Sequence, residues 1–316
     1  MRKQYVFGPV ASRRLGVSLG VDVIKASCCS LDCIYCEAGK TVDLTCQRKE
    51  YVELAKIKAE LAAVLNEQPE LDYITFSGAG EPTLNSRLED LAQWIKLNYP
   101  RYKICLLTNG TLLNDPAVRA ILNYVDLAMP NFDASNEEEL QIINRPAPGI
   151  TVETLAAGIR QAAAEHPGKL VLELFVVPGV NDSDESIARF AKYIKSFAHL
   201  HSVQLNTLDR PGVVDWIKPA GSEILKKFIG VLEQFIPVET VGRFRYRSAA
   251  LREKRTLDEV ESAILELVSR RPAAADDLAV MLAVPPEKAQ SIAESLVKSG
   301  VLCAEKLDRG IFYSAI

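Results

Sequence analysis

Short apolar runs alternate with amphipathic, helix-like segments from about residue 18 to residue 240. The runs predicted as strands are LGVDVI, DYITFSG, KICLLTN, VDLAMPNF, KLVLELFVV and SVQLNTL. The segments predicted as helices are Val52–Gln68, Arg87–Leu97, Pro116–Asn123, Val152–Glu165, Asp184–Phe197 and Glu223–Phe235. Strands that alternate with helices become parallel neighbours through right-handed crossovers, so these six units predict an α/β fold. This pattern fits both an open doubly wound sheet and a full or partial β/α barrel. In either fold we expect the functional residues at the carboxyl ends of the strands.

The pattern changes after residue 240. The segment VGRFRYRSAALREKR, residues 241–255, holds six basic residues against one acid. From residue 256 three helical patterns and a hairpin-like pair follow, which is the element order of a winged helix-turn-helix. We therefore predict a barrel over 1–240, a basic linker over 241–255 and a winged helix-turn-helix domain over 256–316.

Composition narrows the class of protein. The chain has 316 residues, of which 48% are hydrophobic and 25% charged, with a net charge of −4, so we expect a sizeable core and no general affinity for polyanions. No run approaches the roughly 18 apolar residues of a membrane helix, and the basic start lacks the apolar core of a signal peptide. The expected compartment is the cytoplasm, where cysteines stay reduced.

Four of the seven cysteines fall within CCSLDCIYC, residues 28–36, here called the cysteine loop. Cys29, Cys33 and Cys36 have the spacing C-x3-C-x2-C. A structural zinc site usually takes two separated pairs, and a redox C-x-x-C needs no third cysteine. An iron–sulfur cluster held by three cysteines leaves one iron open to another ligand. A small zinc knuckle is the alternative, and the roles of Cys28 and Cys46 are left open.

The C-x3-C-x2-C spacing, with Tyr35 before the last cysteine, resembles the signature of the radical S-adenosylmethionine (SAM) superfamily. The resemblance implies a partial (β/α)6 TIM-like barrel and a [4Fe–4S] cluster on Cys29, Cys33 and Cys36. It further implies SAM bound to the open iron. An external one-electron reductant, flavodoxin- or ferredoxin-like, would start cleavage to a 5′-deoxyadenosyl radical that abstracts hydrogen from a substrate.

Two further motifs support this resemblance. SGAGEPTL, residues 77–84 and here called the glycine-rich loop, resembles the motif that holds the amino group of SAM, with candidate contacts at Gly78, Ala79, Gly80 and Glu81. An ordinary turn between strand and helix is the alternative. LLTNGTLL ends the third strand, and the resemblance places Asn109 beside the adenosyl group.

Polar side chains at the ends of later strands are candidate contacts for SAM or substrate. The resemblance directs Asn131 and Asp133, in MPNFDAS, toward ribose or substrate, with helix capping the alternative for Asp133. Glu173 lies on a predicted buried strand, where a carboxylate needs a partner. The segment VQLNTLDRPG ends the sixth strand, with Asn206, Asp209 and Arg210 as candidate substrate contacts.

Longer segments resemble one subgroup, the iron–sulfur oxidoreductase-like proteins related to the wyosine-forming tRNA enzymes. These segments are FGPVASRRLGVSLGVDV, NRPAPGITVE, VVPGVNDS and QLNTLDRPG. The wyosine enzymes carry an additional cluster-binding cysteine set ahead of the radical motif, whereas no cysteine precedes Cys28 here.

Charge bears on the partner of the C-terminal segment. Residues 256–316 contain six basic and ten acidic residues, which argues against DNA binding, since nucleic-acid affinity comes mostly from phosphate neutralisation. We therefore expect a peptide or protein substrate docked by this segment, or RNA held by the Arg243–Arg255 segment, in which strand alternation would place Arg243, Arg245 and Arg247 on one face. A small metabolite is also open as the substrate, because a barrel mouth can hold one directly. A non-catalytic iron–sulfur sensor or transcription regulator that uses the winged helix is the alternative.

Overall fold

The computed structural model describes residues 4–12, 14–24, 27–210, 212–241, 257–269, 272–282, 284–307 and 310–315. The predicted linker from residue 242 onward, with its basic face, lies outside these residues. Within them, no helix is long and apolar enough to cross a bilayer.

The chain alternates strands and helices as predicted. The strands are β1 (Val6–Ser12), β2 (Gly16–Val21), β3 (Cys28–Cys29), β4 (Asp43–Leu44), β5 (Tyr73–Phe76), β6 (Ile104–Thr108), β7 (Leu127–Pro130), β8 (Lys169–Phe175), β9 (Ser202–Asn206), β10 (Val238–Thr240), β11 (Ala273–Ala274), β12 (Leu302–Leu307) and β13 (Gly310–Ala315). The helices are α1 (Leu54–Leu65), α2 (Leu88–Asn98), α3 (Pro116–Arg119), α4 (Glu137–Ile143), α5 (Val152–Glu165), α6 (Asp184–Lys195), α7 (Ser222–Leu232), α8 (Leu257–Val268), α9 (Ala275–Leu282) and α10 (Pro286–Lys298). Short 3₁₀ turns cover Pro82–Leu84 and Ala120–Tyr124.

The main sheet has the strand order β1-β2-β5-β6-β7-β8-β9-β10. Every pair from β2 to β10 is parallel, and β1 is antiparallel to β2. A doubly wound sheet reverses its strand order near the middle, whereas this order follows the chain throughout. The topology is therefore an α/β fold of the partial-barrel kind, with the carboxyl ends of the parallel strands at one rim.

Two strands of this sheet were not predicted. In β1 the Gly8-Pro9 pair breaks the apolar pattern, and the register with β2 shifts between Phe7 and Val10. Proline is tolerated because β1 is an edge strand. The other missed strand, β10, has only three residues, too few to produce a recognisable alternation.

The sheet separates an outer core from smaller inner ones. The outer faces of the strands pack against the helices through residues such as Ile74, Leu106 and Leu172. The alternate residues Cys105 and Met129 belong to an inner cluster. This arrangement follows from the alternation of side chains along a strand and leaves the inner rim for polar groups.

The C-terminal elements have a core of their own. The strands β11, β13 and β12 form an antiparallel sheet in that order, and α8, α9 and α10 pack beside it. Val260, Leu278, Leu296 and Tyr313 lie in this core, which also takes in Val10 of β1. The predicted helices and terminal hairpin are therefore present, and the segment rests on the edge of the barrel sheet.

Candidate active site

The cysteine loop follows β2 and is held closed by hydrogen bonds. Its first two residues form β3, which pairs in parallel with β4. The backbone N–H of Thr41 donates to the Asp32 carboxylate (2.8 Å), and the Thr41 hydroxyl donates to the Leu31 carbonyl (2.7 Å). The Cys28 thiol is buried and donates to the Asp43 carboxylate at 3.5 Å, so it has a partner of its own.

All three predicted ligand thiols have N–H donors: the backbone of Ala38 and Gly39 serves Cys36, and side-chain amides reach the other two. Nδ2 of Asn109 lies 3.4 Å from Sγ of Cys29, and the backbone N–H of Leu31 donates to the same sulfur at 3.5 Å. Nδ2 of Asn144 lies 3.3 Å from Sγ of Cys33. The contact of Asn109 agrees with its predicted place at the end of β6, whereas Asn144 was missed. Its only signal was the motif INRP after α4, which is 111 positions from Cys33 in the chain.

The glycine-rich loop lies directly against the start of the cysteine loop. The N–H of Ser27 donates to the Ala79 carbonyl (2.7 Å), and the N–H of Glu81 donates to the Cys28 carbonyl (3.1 Å). A side-chain carbon at Gly80 would come within 2.1 Å of that same carbonyl oxygen. The absence of a side chain at this position therefore allows the two backbones to pair.

Gly78 and Glu81 fix the conformation of the glycine-rich loop. Gly78 has φ +149°, a conformation that glycine adopts far more readily than other residues. The buried Glu81 carboxylate accepts from the N–H (3.0 Å) and hydroxyl (2.6 Å) of Thr83, the hydroxyl of Thr108 (2.7 Å) and the N–H of Asn109 (2.7 Å). Burial raises the pKa of Glu81, although these hydrogen bonds oppose the shift. The carboxylate thus ties the loop to the end of β6.

A second buried carboxylate, Asp133, joins the cysteine loop to β8. It accepts from the Tyr35 hydroxyl (2.5 Å), from Nδ2 of Asn144 (2.9 Å) and from the backbone N–H of Phe175 (2.9 Å). The Tyr35 ring stacks on Phe175 with centroids 3.8 Å apart. The capping alternative for Asp133 is wrong, because Asn136 is the residue that caps α4.

The strand ends of β7, β8 and β9 bring their predicted polar residues together. The buried Glu173 carboxylate pairs with Arg14, and its Oε1 accepts from Nδ2 of Asn206 (3.1 Å) and of Asn131 (3.5 Å). Asn131 also lies 3.4 Å from Asp133. Glu173 therefore has the partner that its burial requires, and Arg14 of the β1–β2 turn supplies the positive charge.

Comparison with known proteins identifies the family. The model of the radical SAM superfamily matches residues 23–191, which include both loops and the strands from β5 to β8. The chain belongs to the radical SAM superfamily. It is 30% identical, over 97% of its length, to the UPF0026 protein MJ1312 of Methanocaldococcus jannaschii, of which it covers 94%.

Two further similarities concern length and fold. The chain is 30% identical over its whole length to a protein named GTPase Obg from Brachyspira hyodysenteriae, but it spans only 46% of that protein. A radical SAM methyltransferase from Sphaerobacter thermophilus superposes with a TM-score of 0.53 and 20% identity, over 71% of this chain and 65% of that one. That similarity shows a shared radical SAM fold.

Membership of the radical SAM superfamily implies a [4Fe–4S] cluster and SAM. In the described part of the chain no three ligating side chains converge as they would around a single metal ion. A cluster would be held by the three thiols of the cysteine loop, and N–H donors lie at Cys29, Cys33 and Cys36.

The cysteine loop suits a bound cluster. Burial and the nearby Glu81 raise the pKa of Cys29 to about 12. Burial raises the pKa of Cys33 and of Cys36 as well, and each of the three thiols is close enough for its charge to affect another. The raised pKa values mean that the metal-free thiols are protonated, and bound iron would displace these protons. The fit of a cluster rests instead on the proximity of the three sulfurs and on their N–H donors, which cluster thiolates use in proteins. The donor set therefore fits the group that the family implies.

Proposed function

We propose that this chain is a radical SAM enzyme in which Cys29, Cys33 and Cys36 hold a [4Fe–4S] cluster and leave one iron for SAM. When bound, these cofactors supply a 5′-deoxyadenosyl radical that abstracts hydrogen from a substrate. The observation that carries the proposal is the hydrogen-bonded unit formed by the cysteine loop, the glycine-rich loop and the end of β6. Three segments distant in the chain thus meet around the thiols.

The residues of the glycine-rich loop receive distinct roles in this proposal. Gly78, Ala79 and Gly80 supply backbone close to the cysteine loop, where the amino end of SAM would bind. The Glu81 carboxylate accepts three hydrogen bonds at Oε1 but only one at Oε2, so Oε2 keeps an acceptor site. We therefore assign Glu81 both to holding this loop in place and to the amino group of SAM, and Asn109 to the space beside the adenosyl group and Cys29.

The rim of the barrel supplies the remaining proposed contacts. The polar residues that converge there are Tyr35, Asn131, Asp133, Glu173 and Asn206. Because each is held by a neighbour, their orientation is set before a ligand arrives, which lowers the entropic cost of binding. We assign them to the ribose of SAM or to the substrate.

The substrate class and partners are also proposals. The element order from α8 to β13 supports a winged-helix domain, and its excess of acidic residues favours a peptide or protein over DNA. RNA is the competing substrate, through the basic linker and the sequence resemblance to the wyosine-related subgroup. An external reductant, flavodoxin- or ferredoxin-like, would deliver the electron.

The test is anaerobic reconstitution with iron and sulfide, followed by addition of reductant and SAM and measurement of 5′-deoxyadenosine. Small-molecule, RNA and protein fractions of a cell extract are added separately. We expect Cys33→Ala to lose cluster and product, while Cys46→Ala, a change outside the predicted ligand set, retains both. The fraction that stimulates product identifies the substrate class.

The opposite result would favour the alternative function. The proposed enzymatic activity would be contradicted if protein with a complete, reducible cluster formed no 5′-deoxyadenosine with any of the fractions. Salt-sensitive binding of duplex DNA by the same protein would then support an iron–sulfur sensor or transcription regulator that uses the C-terminal segment.

A further inference from the structure

A buried arginine connects the cysteine loop to the C-terminal segment. Arg210 follows β9, and its side chain is 0% exposed. Its Nη1 lies 2.8 Å from the carboxylate of Glu37, the residue after Cys36. Its Nε lies 3.4 Å from the carboxylate of Asp277, which belongs to α9. The guanidinium therefore contacts two carboxylates that are 240 positions apart in the chain.

The loop that carries Arg210 is also fixed to the cysteine loop by its backbone and apolar side chains. The N–H of Val213 donates to the Ile34 carbonyl at 2.8 Å. Ile217 and Ile34 share a small buried cluster with Phe175. The loop that carries Arg210 is therefore held to the cysteine loop by a backbone hydrogen bond and by apolar packing, in addition to the ion pair with Glu37.

The C-terminal segment also packs on the edge strand of the barrel. Val10 of the edge strand β1 packs in the same core as Val260, Leu278 and Leu282. This contact covers an otherwise unprotected strand edge, but it lies on β1 and not on the cysteine loop. The Arg210 ion pairs join α9 to Glu37, directly after the loop that carries the cysteines.

The connection between the cysteine loop and α9 depends on the charge of Arg210 and of its two carboxylate partners. Burial alone would lower the pKa of Arg210, but the charges of Glu37 and Asp277 outweigh it and raise the pKa. A buried guanidinium is strongly disfavoured when one of its partners is removed, because the charge then lacks compensation. The position of α9 and that of the cysteine loop thus depend on the same charged group.

We propose that Arg210 is a positioning residue that ties the cysteine loop to α9, so that the C-terminal segment is a structural part of the cofactor site. The proposal rests on the proposed function only in that the loop holds a cluster. In this proposal the C-terminal segment has a role besides substrate docking, because release of the segment from Arg210 would loosen the cysteine loop next to Cys36.

The test compares Asp277→Asn with Asp276→Asn in the full-length chain. The two changes remove the same charge from adjacent residues of α9, but Asp276 is exposed. Hydrogen exchange is followed in peptides covering residues 28–37 and 275–282, before and after anaerobic reconstitution. Loss of iron to a chelator is followed in the reconstituted proteins. We expect Asp277→Asn to speed exchange in both peptides, and iron loss, by about fivefold or more relative to Asp276→Asn.

The outcomes distinguish a connection between α9 and the cysteine loop from an effect confined to α9. Asp277 also accepts weakly from the Ala274 N–H (3.4 Å), so faster exchange confined to residues 275–282 would show only local fraying and would overturn the proposal. Equal behaviour of the two variants would overturn it as well. Arg210→Lys, which keeps the charge but not the fork of donors, should give an intermediate rate. If the wild-type chain takes up no cluster, the proposed function fails, while exchange before reconstitution still tests the tie.

Discussion

The contact at Gly80 gives the sharpest prediction, because a single methyl group would separate the two loops of the site. In Gly80→Ala the new carbon would lie 2.1 Å from the Cys28 carbonyl oxygen and 2.6 Å from Cγ2 of Ile24. Side-chain carbons essentially never approach closer than 3.0 Å, so the glycine-rich loop and the cysteine loop must part by roughly 1 Å. The obstacle is a backbone carbonyl, which cannot swing aside as a flexible side chain would.

The size of the effect follows from what this separation breaks. The hydrogen bonds from Glu81 to Cys28 (3.1 Å) and from Ser27 to Ala79 (2.7 Å) would be stretched beyond a useful length. Two net hydrogen bonds and the overlap together cost about 2–6 kcal/mol of unfolding free energy. A domain in the middle of the usual stability range, at about 10 kcal/mol, would remain mostly folded, but Cys29 would be displaced.

The assay is urea unfolding of the cluster-free protein, together with iron content and 5′-deoxyadenosine after reconstitution. The matched control is Gly230→Ala in α7, where an added carbon meets nothing within 4 Å. The control should keep its iron and gain about 0.4–1 kcal/mol, because alanine lowers the entropy of the unfolded chain. If Gly80→Ala unfolds and binds iron as the wild type does, the close approach of the two loops is not needed for stability or for cluster binding.

Three further predictions concern the cysteine loop. Tyr35→Phe should lower the free energy of unfolding by about 1–3 kcal/mol, measured by urea unfolding, because the buried Asp133 carboxylate loses a donor while the ring stack remains; an unchanged midpoint would contradict this. Asn144→Leu should speed iron loss to a chelator, because the sulfur of Cys33 loses its amide donor; retention equal to the wild type would argue against that role. In cluster-free protein, alkylation of Cys33 should be slow at pH 7 and rise with pH, because burial raises the pKa of its thiol and only the thiolate reacts; peptide mass mapping, with the exposed Cys303 as reference, checks the trend.

Local sequence was enough to find the parts of the site that lie within a few residues of one another. The spacing of Cys29, Cys33 and Cys36 is a local pattern, as are the glycines before Glu81 and the Asn109-Gly110 turn. Each predicted run of apolar residues overlaps a parallel strand, because alternation of strand and helix is also visible within short windows. The strand β1 was missed because proline interrupts its pattern, and its pairing depends on β2.

Contacts between distant segments were decided by the tertiary structure. Asn144 reaches Cys33 because the end of α4 pairs with the cysteine loop, where the N–H of Ile34 donates to the Ile143 carbonyl, and the motif INRP by itself does not indicate that sulfur. Arg210 was expected among substrate contacts, but the structure buries it between Glu37 and Asp277. A hydrogen bond or ion pair depends on distance in space, which the order of residues does not record.

The sequence by itself therefore determined the α/β alternation, the spacing of three cysteines and the resemblance to the radical SAM superfamily, since each is written in short stretches of chain. The tertiary structure alone decided which amides face the thiols, how the two loops pair and where the C-terminal segment rests. These features depend on the sequential strand order of the sheet, which brings the carboxyl ends of successive strands to one rim.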